Sequence, residues 1–271
     1  MLKAEIKRAF LSRGMFVAVA AAIICILYKN IDYYIKLIEY RNAIQPGAVG
    51  VELNRQTFYS LWIVGNFFTP ASVYIFYFMG LIAVIPYGVS YYRDKRDGII
   101  KNMSIRAGKK SYLRAKFIAV FLSGGIAVLI PVLLDFILTK IWIPHDFVYM
   151  PFTVLNSRSM WGVFMIDHIY ISAVLTMTAW FVFGGTLATV ALLVSVFVND
   201  FFTIQLTPFF LMILLMYIPD LLPESIKKYF PYYFLSVFGD GNPIMGILIS
   251  LTAVMVMFGI FYYCEGKKDI L

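Results

Sequence analysis

Long apolar runs separated by short polar joints set the rhythm of this chain, and the rhythm predicts helices that cross a membrane. The first run opens at Met15, is purely apolar to Leu27 and continues as YKNIDYYIKLIEYR, which places a first span at 15–38. In its later half Lys29, Asp32, Lys36 and Glu39 stand three or four residues apart, a spacing that allows ion pairs along one helical face. That helix is therefore expected to leave the bilayer and end before Pro46-Gly47. Residues 58–92 are apolar for 35 positions, too long for one crossing of about 20 residues. Thr69-Pro70 divides them into an interfacial or re-entrant piece at 58–68 and a second span at 71–92, with Pro86 expected to kink it. A third span at 117–138 carries Ser123, Gly124 and Gly125, small residues that let another helix approach. Asp135 falls in its last turns and is expected to reach the headgroups.

After an external segment at 140–168 with Trp142, Tyr149 and Trp161 suited to an aromatic belt, a fourth span occupies 169–198. Gly184-Gly185 at its middle is a point for bending or for packing. A tight Asn199-Asp200 turn leads to a fifth span at 201–218, whose first half holds Thr203, Gln205, Thr207 and Pro208. Polar groups at that depth must face protein or water, which makes Thr203, Gln205 and Thr207 candidates for a translocation path. Two prolines, a short charged turn and an aromatic cluster at 219–243 predict short re-entrant helices in the outer leaflet, before a clean sixth span at 244–264.

Two polar stretches carry a pattern of their own. In residues 1–14, Leu2, Ile6, Ala9 and Phe10 share one helical face and Lys3, Lys7, Arg8 and Arg13 fill the rest, an interfacial amphipathic helix that meets anionic lipid. Residues 93–116, RDKRDGIIKNMSIRAGKKSYLRAK, hold nine Lys or Arg, yet they also hold Ile99, Ile100, Met103 and Ile105. A purely solvated loop has no need of those apolar side chains, so the segment is expected to dock onto a cytoplasmic partner.

Composition agrees. The 271 residues are 61% hydrophobic and only 14% charged, far from the roughly 45–50% and 25% of soluble domains. The net charge of +8 could suggest nucleic acid, but fifteen of the 23 Lys and Arg fall in residues 1–14, 93–116 and 265–271. Six spans put all three segments on one side, and basic retention makes that side the cytoplasm, with both termini there. Cys25 and Cys264 lie in apolar runs and predict neither a disulfide nor a metal site. The only histidines, His145 and His168, belong to no metal or nucleophile motif, and Gly108-Lys109-Lys110-Ser111 lacks the glycine spacing of a phosphate-binding loop. Asp167-His168 at the mouth of the fourth span reads as a hydrogen-bonded boundary pair. No catalytic residue is assigned, and active transport by this chain would need a separate energising subunit.

The whole pattern resembles the membrane subunit of ABC-2-type exporters, the type V ABC transporters. The likeness rests on the amphipathic start Leu2–Arg13, the 93–116 connection, the six spans, and PDLLPESIKKYFPYY before the last of them. Arg96, Asp97, Gly98, Ile99, Ile100 and Met103, followed by Arg106 and Lys116, match the family's order of charged residues, glycine, apolar residues, basic turn and lysine; Ile99 stands where that family often has threonine. The resemblance implies an all-α membrane protein of six transmembrane helices in a single domain, 1–271, with a cytoplasmic coupling helix between the second and third. It implies that Arg96, Asp97, Gly98, Ile99, Ile100, Met103 and Arg106 meet a separate ATPase, present as a dimer, with Leu2, Ile6 and Phe10 on the helix beside it. It further implies a second membrane subunit, identical or not, with ATP and magnesium held only by the partner. The expected function is a permease in the cytoplasmic membrane exporting an amphiphilic peptide, an antibiotic-like molecule or a lipid. The alternative is a non-transporting scaffold or sensor that regulates a partner through the basic connection.

Overall fold

A computed structural model describes residues 1–43, 62, 70–142, 164, 168–236 and 241–267. The expected 58–68 piece, all but Trp62, and most of the external segment, Asp167 included, lie outside the described residues. Every regular element described is helical and no strand occurs among the described residues. In chain order the helices are α1 (Leu2–Phe10), α2 (Arg13–Ala43), α3 (Pro70–Val84), α4 (Ser90–Arg96), α5 (Ile99–Ala107), α6 (Lys109–Trp142), α7 (Ile169–Phe197) and α8 (Phe201–Tyr217). A 3₁₀ turn (Ile218–Leu221) and the short α9 (Glu224–Lys227) and α10 (Pro231–Leu235) then precede α11 (Pro243–Gly266). Among the described residues, five helices are long and apolar enough to cross a membrane: α2, α6, α7, α8 with its 3₁₀ extension, and α11. This is the make-up of a multi-pass membrane protein.

The sixth apolar run behaves differently. Pro86 does not merely kink a span over 71–92: α3 stops at Val84, residues 85–89 turn, and α4 starts afresh at Ser90. Proline removes a backbone donor and clashes with the preceding turn. Here the freed Pro86 carbonyl takes a hydrogen bond from the Ser12 hydroxyl at 2.9 Å. Gly14 lies so close to this break that a Cβ there would stand 2.2 Å from the Ile85 carbonyl oxygen. The joint between α1 and α2 is thus seated on the break after α3.

The diglycine positions act in packing rather than bending, because α7 runs unbroken through Gly184-Gly185. A Cβ on Gly124 would meet that of Ala188 at 2.3 Å, and one on Gly184 would meet Val128 at 2.8 Å. The neighbouring glycines make room for rings: Phe181 covers Gly125, Phe121 covers Gly185, and the two rings meet edge to face at 5.8 Å. Without side chains at these positions the backbones of α6 and α7 approach closely, which is how helices associate in lipid. Around this seam the core is built from Phe76, Met79, Tyr112, Trp180, Leu187 and Phe261, all almost fully buried.

Asp135 is not at the headgroups but fully buried, and Lys29 on α2 donates to it at 2.6 Å. Asn30 adds a second hydrogen bond to Asp135 at 3.0 Å, so α2 and α6 are joined through a buried ion pair. Near it, the Trp62 indole donates to the Val132 carbonyl at 2.9 Å. The short α10 sits beside the bundle rather than beyond its end. Its Leu235 carbonyl accepts from Trp180, and Phe234 meets Phe183 edge to face. Trp180 stands eleven residues into α7, roughly 16 Å along the axis at about 1.5 Å per residue.

Candidate partner-coupling site

α4 has only seven residues, yet it touches every element at its end of the bundle. Lys95 donates to Asn199 in the α7–α8 turn at 2.9 Å, and Arg93 lies over the Phe201 ring at 5.4 Å. One turn before Lys95, Tyr91 packs edge to face on Phe261 at 5.3 Å and hydrogen bonds with Glu265, both on α11. Between these, Asp94 points into the protein and is 1% exposed.

Asp94 belongs to a cluster of four ions and two tyrosines, in which Glu5, Asp94 and Lys116 are buried and Arg8, 41% exposed, closes the outer side. Lys116 on α6, fully buried, donates to Glu5 at 3.0 Å, to Asp94 at 2.5 Å and to the Tyr87 hydroxyl at 3.2 Å. Arg8 spans the same two acids, 3.0 Å from each. Tyr87 donates to Glu5 and Tyr112 to Asp94, both at 2.7 Å. Each carboxylate therefore accepts from Lys116, from Arg8 and from one phenol, and the three ammonium donors of Lys116 are all used. Two acids and two bases leave the cluster neutral. Burial of an ion costs several kcal/mol unless its partners are in place, and here they come from three separate elements: α1, α4 and α6, with Tyr87 from the break. Burial alone would push the Asp94 carboxyl up, but Lys116, Arg8 and Tyr112 outweigh it and hold it below the ordinary value. Burial likewise opposes the Arg8 charge, and Asp94 and Glu5 more than offset it, raising the guanidinium above its usual range.

Outside this cluster α5 forms a separate short ledge. Gly98 (φ 69°) and Gly108 (φ 78°) bracket it, the only described residues with positive φ, a backbone region that side chains disfavour. Ile100 and Met103 turn inward onto the core, Ile99 is half-buried, and Ser104 is buried. The outward face holds Gly98, Lys101, Asn102, Ile105 and Arg106, spaced as one side of a helix. Ile105 is 75% exposed in the middle of it. Arg96 and Asp97, paired with each other at 2.9 Å, stand exposed at its approach. Of the residues expected to meet a partner, Arg96, Asp97, Gly98 and Arg106 thus face outward, whereas Ile100 and Met103 are occupied within the chain. The outward apolar residue is Ile105. Residues 109–116, expected in the connection, are the first two turns of α6.

The amphipathic start is helical as expected, but the face it buries is centred on Glu5 and Ala9. Ile6 and Phe10 pack partly against the core and Leu2 is exposed. Glu5 and Asp94 were not singled out by the sequence pattern. Their signal is present: Glu5 falls beside Ala9 on the apolar face of α1, and Asp94 is an acid inside a basic run.

The three polar residues of α8 divide. Asp200 caps that helix by accepting from the Thr203 amide and hydroxyl, both at 2.7 Å, and Thr207 donates back to the Thr203 carbonyl at 2.6 Å. Both threonines therefore serve their own helix. Gln205 instead lines a cavity of about 100 Å³ against Arg8, Ser12, Pro86 and Asp94, beside the ion cluster. No group of three His, Cys, Asp or Glu that could hold a metal occurs among the described residues. Comparison of the chain with family models, with curated proteins and with solved structures returns no match.

Proposed function

We propose that this chain is the membrane subunit of an ATP-driven exporter of the ABC-2 type, worked by a separate ATPase dimer that grips α5 from the cytoplasm. The observation that supports it is the placement of α4. A force applied to the exposed ledge passes through Gly98 into a seven-residue helix that is tied to α1, α6, α11 and the α7–α8 turn at once. A solvated loop carries no load; this connection is built to carry one. The outward face of α5 offers one apolar residue, Ile105, ringed by Lys101 and Arg106, the pattern of a buried anchor with a polar rim. The membrane is the cytoplasmic membrane, both termini and α5 face the cytoplasm, and α3 with α4 replaces a continuous second crossing. A second membrane subunit, with the path between the two, completes the assembly. The short helices α9 and α10 form the outer closure, and the cargo is an amphiphile.

The test is purification of the full chain from its native membrane in a mild detergent, with identification of the subunits that come with it. An ATP-hydrolysing subunit is expected with the wild type and lost from Ile105→Asp, whose melting temperature stays unchanged. A native complex without a nucleotide hydrolase, or full retention of it by Ile105→Asp, would overturn the reading.

A further inference from the structure

At the end of the bundle opposite α5, α3, α8, the 3₁₀ turn and α10 border a half-open cavity of about 310 Å³. Tyr77, Tyr217, Tyr232 and Tyr233 line it together with Met216 and Asp220. Tyr77 and Tyr217 share a hydrogen bond between their hydroxyls at 3.1 Å, and Tyr232 and Tyr233 meet edge to face at 5.2 Å. The four rings are thereby set in two fixed pairs from three separate elements. Among the described residues of the lining Asp220 is the charged one, with neither Lys nor Arg beside it.

We infer that this cavity binds an organic ammonium cation of the choline type. Aromatic faces carry negative quadrupoles that attract a cation lying over them, and several rings around one space are the usual receptor for quaternary ammonium groups. An anion finds no positive partner here and meets a carboxylate. A bare metal ion needs six or more oxygen ligands at short range, which one carboxylate among phenols does not supply. A neutral apolar guest would leave Asp220 without a role. A quaternary head group needs no hydrogen-bond acceptor, only soft negative surface and one counter-charge, and the volume suits it. The local field agrees: burial first, then the neighbouring Tyr233 and Asp220, push the Tyr232 phenol above its ordinary value. The site holds such a group whether or not the chain exports anything, so it stands apart from the transport reading.

The test is calorimetric titration of the full chain, purified in a maltoside detergent, with choline and with 3,3-dimethylbutan-1-ol, its neutral isostere. Choline is expected to bind at least about tenfold more tightly than the alcohol, the size of a desolvated cation–aromatic contact. Asp220→Asn, an exposed change with no fold to disturb, is expected to weaken choline about tenfold and to leave the alcohol unaffected. Short-chain phosphatidylcholine distinguishes the source: tighter binding than choline marks a lipid head group, equal or weaker binding a free cation. Equal affinity for choline and the alcohol, no saturable choline signal, or an unchanged Asp220→Asn would each overturn the assignment.

Discussion

Lys116 is the residue on which the coupling end depends. Two of its three hydrogen bonds go to the acids and tie Glu5 as well as Asp94 to α6, so Lys116→Met leaves the two buried carboxylates with Arg8 as their one base in the cluster. Removing one partner from such a buried set costs about 3–5 kcal/mol. Denaturation of the purified protein is expected to show a loss of that size for Lys116→Met. The triple variant Glu5→Gln/Asp94→Asn/Lys116→Met removes every buried charge of the cluster and leaves only Arg8, which at 41% exposure reaches water, so it is expected to cost much less than the sum of the single changes. Asp94 also sets an acid limit. Its folded-state value lies below the ordinary 3.8, so its stabilisation is complete above that pH and is lost as pH falls below it through the folded value. Protease cleavage at the α1–α2 joint is expected to stay constant from neutral pH down to about 4 and to rise only in stronger acid. A rise already near pH 6 would mean that another group governs the contact.

Among the elements, the α6–α7 seam and the α5 ledge make opposite demands on their glycines. Gly124→Ala forces a Cβ to within 2.3 Å of the Ala188 Cβ and 3.0 Å of the Ala83 carbonyl oxygen, so the helices must part. A loss of about 1–3 kcal/mol in thermal or chemical denaturation is expected. Gly259→Ala on α11, where a Cβ would meet nothing within 4 Å, is expected to be neutral or slightly stabilising. Gly98→Ala also meets no atom, yet its φ of 69° makes the substitution cost about 1–2 kcal/mol from backbone strain alone.

At this scale the chain was largely readable in advance. Apolar length marked the runs that form α2, α6, α7, α8 and α11, although α6 begins at Lys109, eight residues before the expected 117, because its basic first turns carry no apolar signal. Pro86 gave the place of the break but not its severity, since whether a helix kinks or ends at a proline depends on what meets the opened backbone. Ser12, 74 positions away, does so by donating to the Pro86 carbonyl. The same limit hid the ion cluster and the Lys29–Asp135 pair. The spacing of Lys29, Asp32 and Lys36 points to partners along one helix and gives no sign of Asp135, 106 residues distant, to which Lys29 donates. The inward turn of Ile100 and Met103, with Ile105 left outside, follows from how α5 rolls between its two glycines, and spacing does not report that angle.

For the molecule as a whole, the two candidate surfaces sit at opposite ends, α5 at one and the tyrosine-lined cavity at the other. Asp97→Cys and Asp220→Cys, both at exposed positions, are therefore expected to react with a membrane-impermeant maleimide from opposite faces: Asp97→Cys only after the cells are opened, Asp220→Cys in intact cells. Labelling of both from the same face would contradict the arrangement of the bundle as well as its proposed orientation. Between the two ends, α6 and α7 form the stiff centre through their glycine seam, with α2 fixed to α6 by the Lys29–Asp135 pair. In the proposed exporter, motion started at α4 passes into α6 through the Asp94–Lys116 contact.

The neutral cluster also imposes an order on biogenesis. Glu5, Arg8 and Asp94 precede Lys116 in the chain, and without it they carry one uncompensated negative charge, which opposes their burial. The seating of α1 against α4 is therefore complete only once the first turns of α6 have been made and docked.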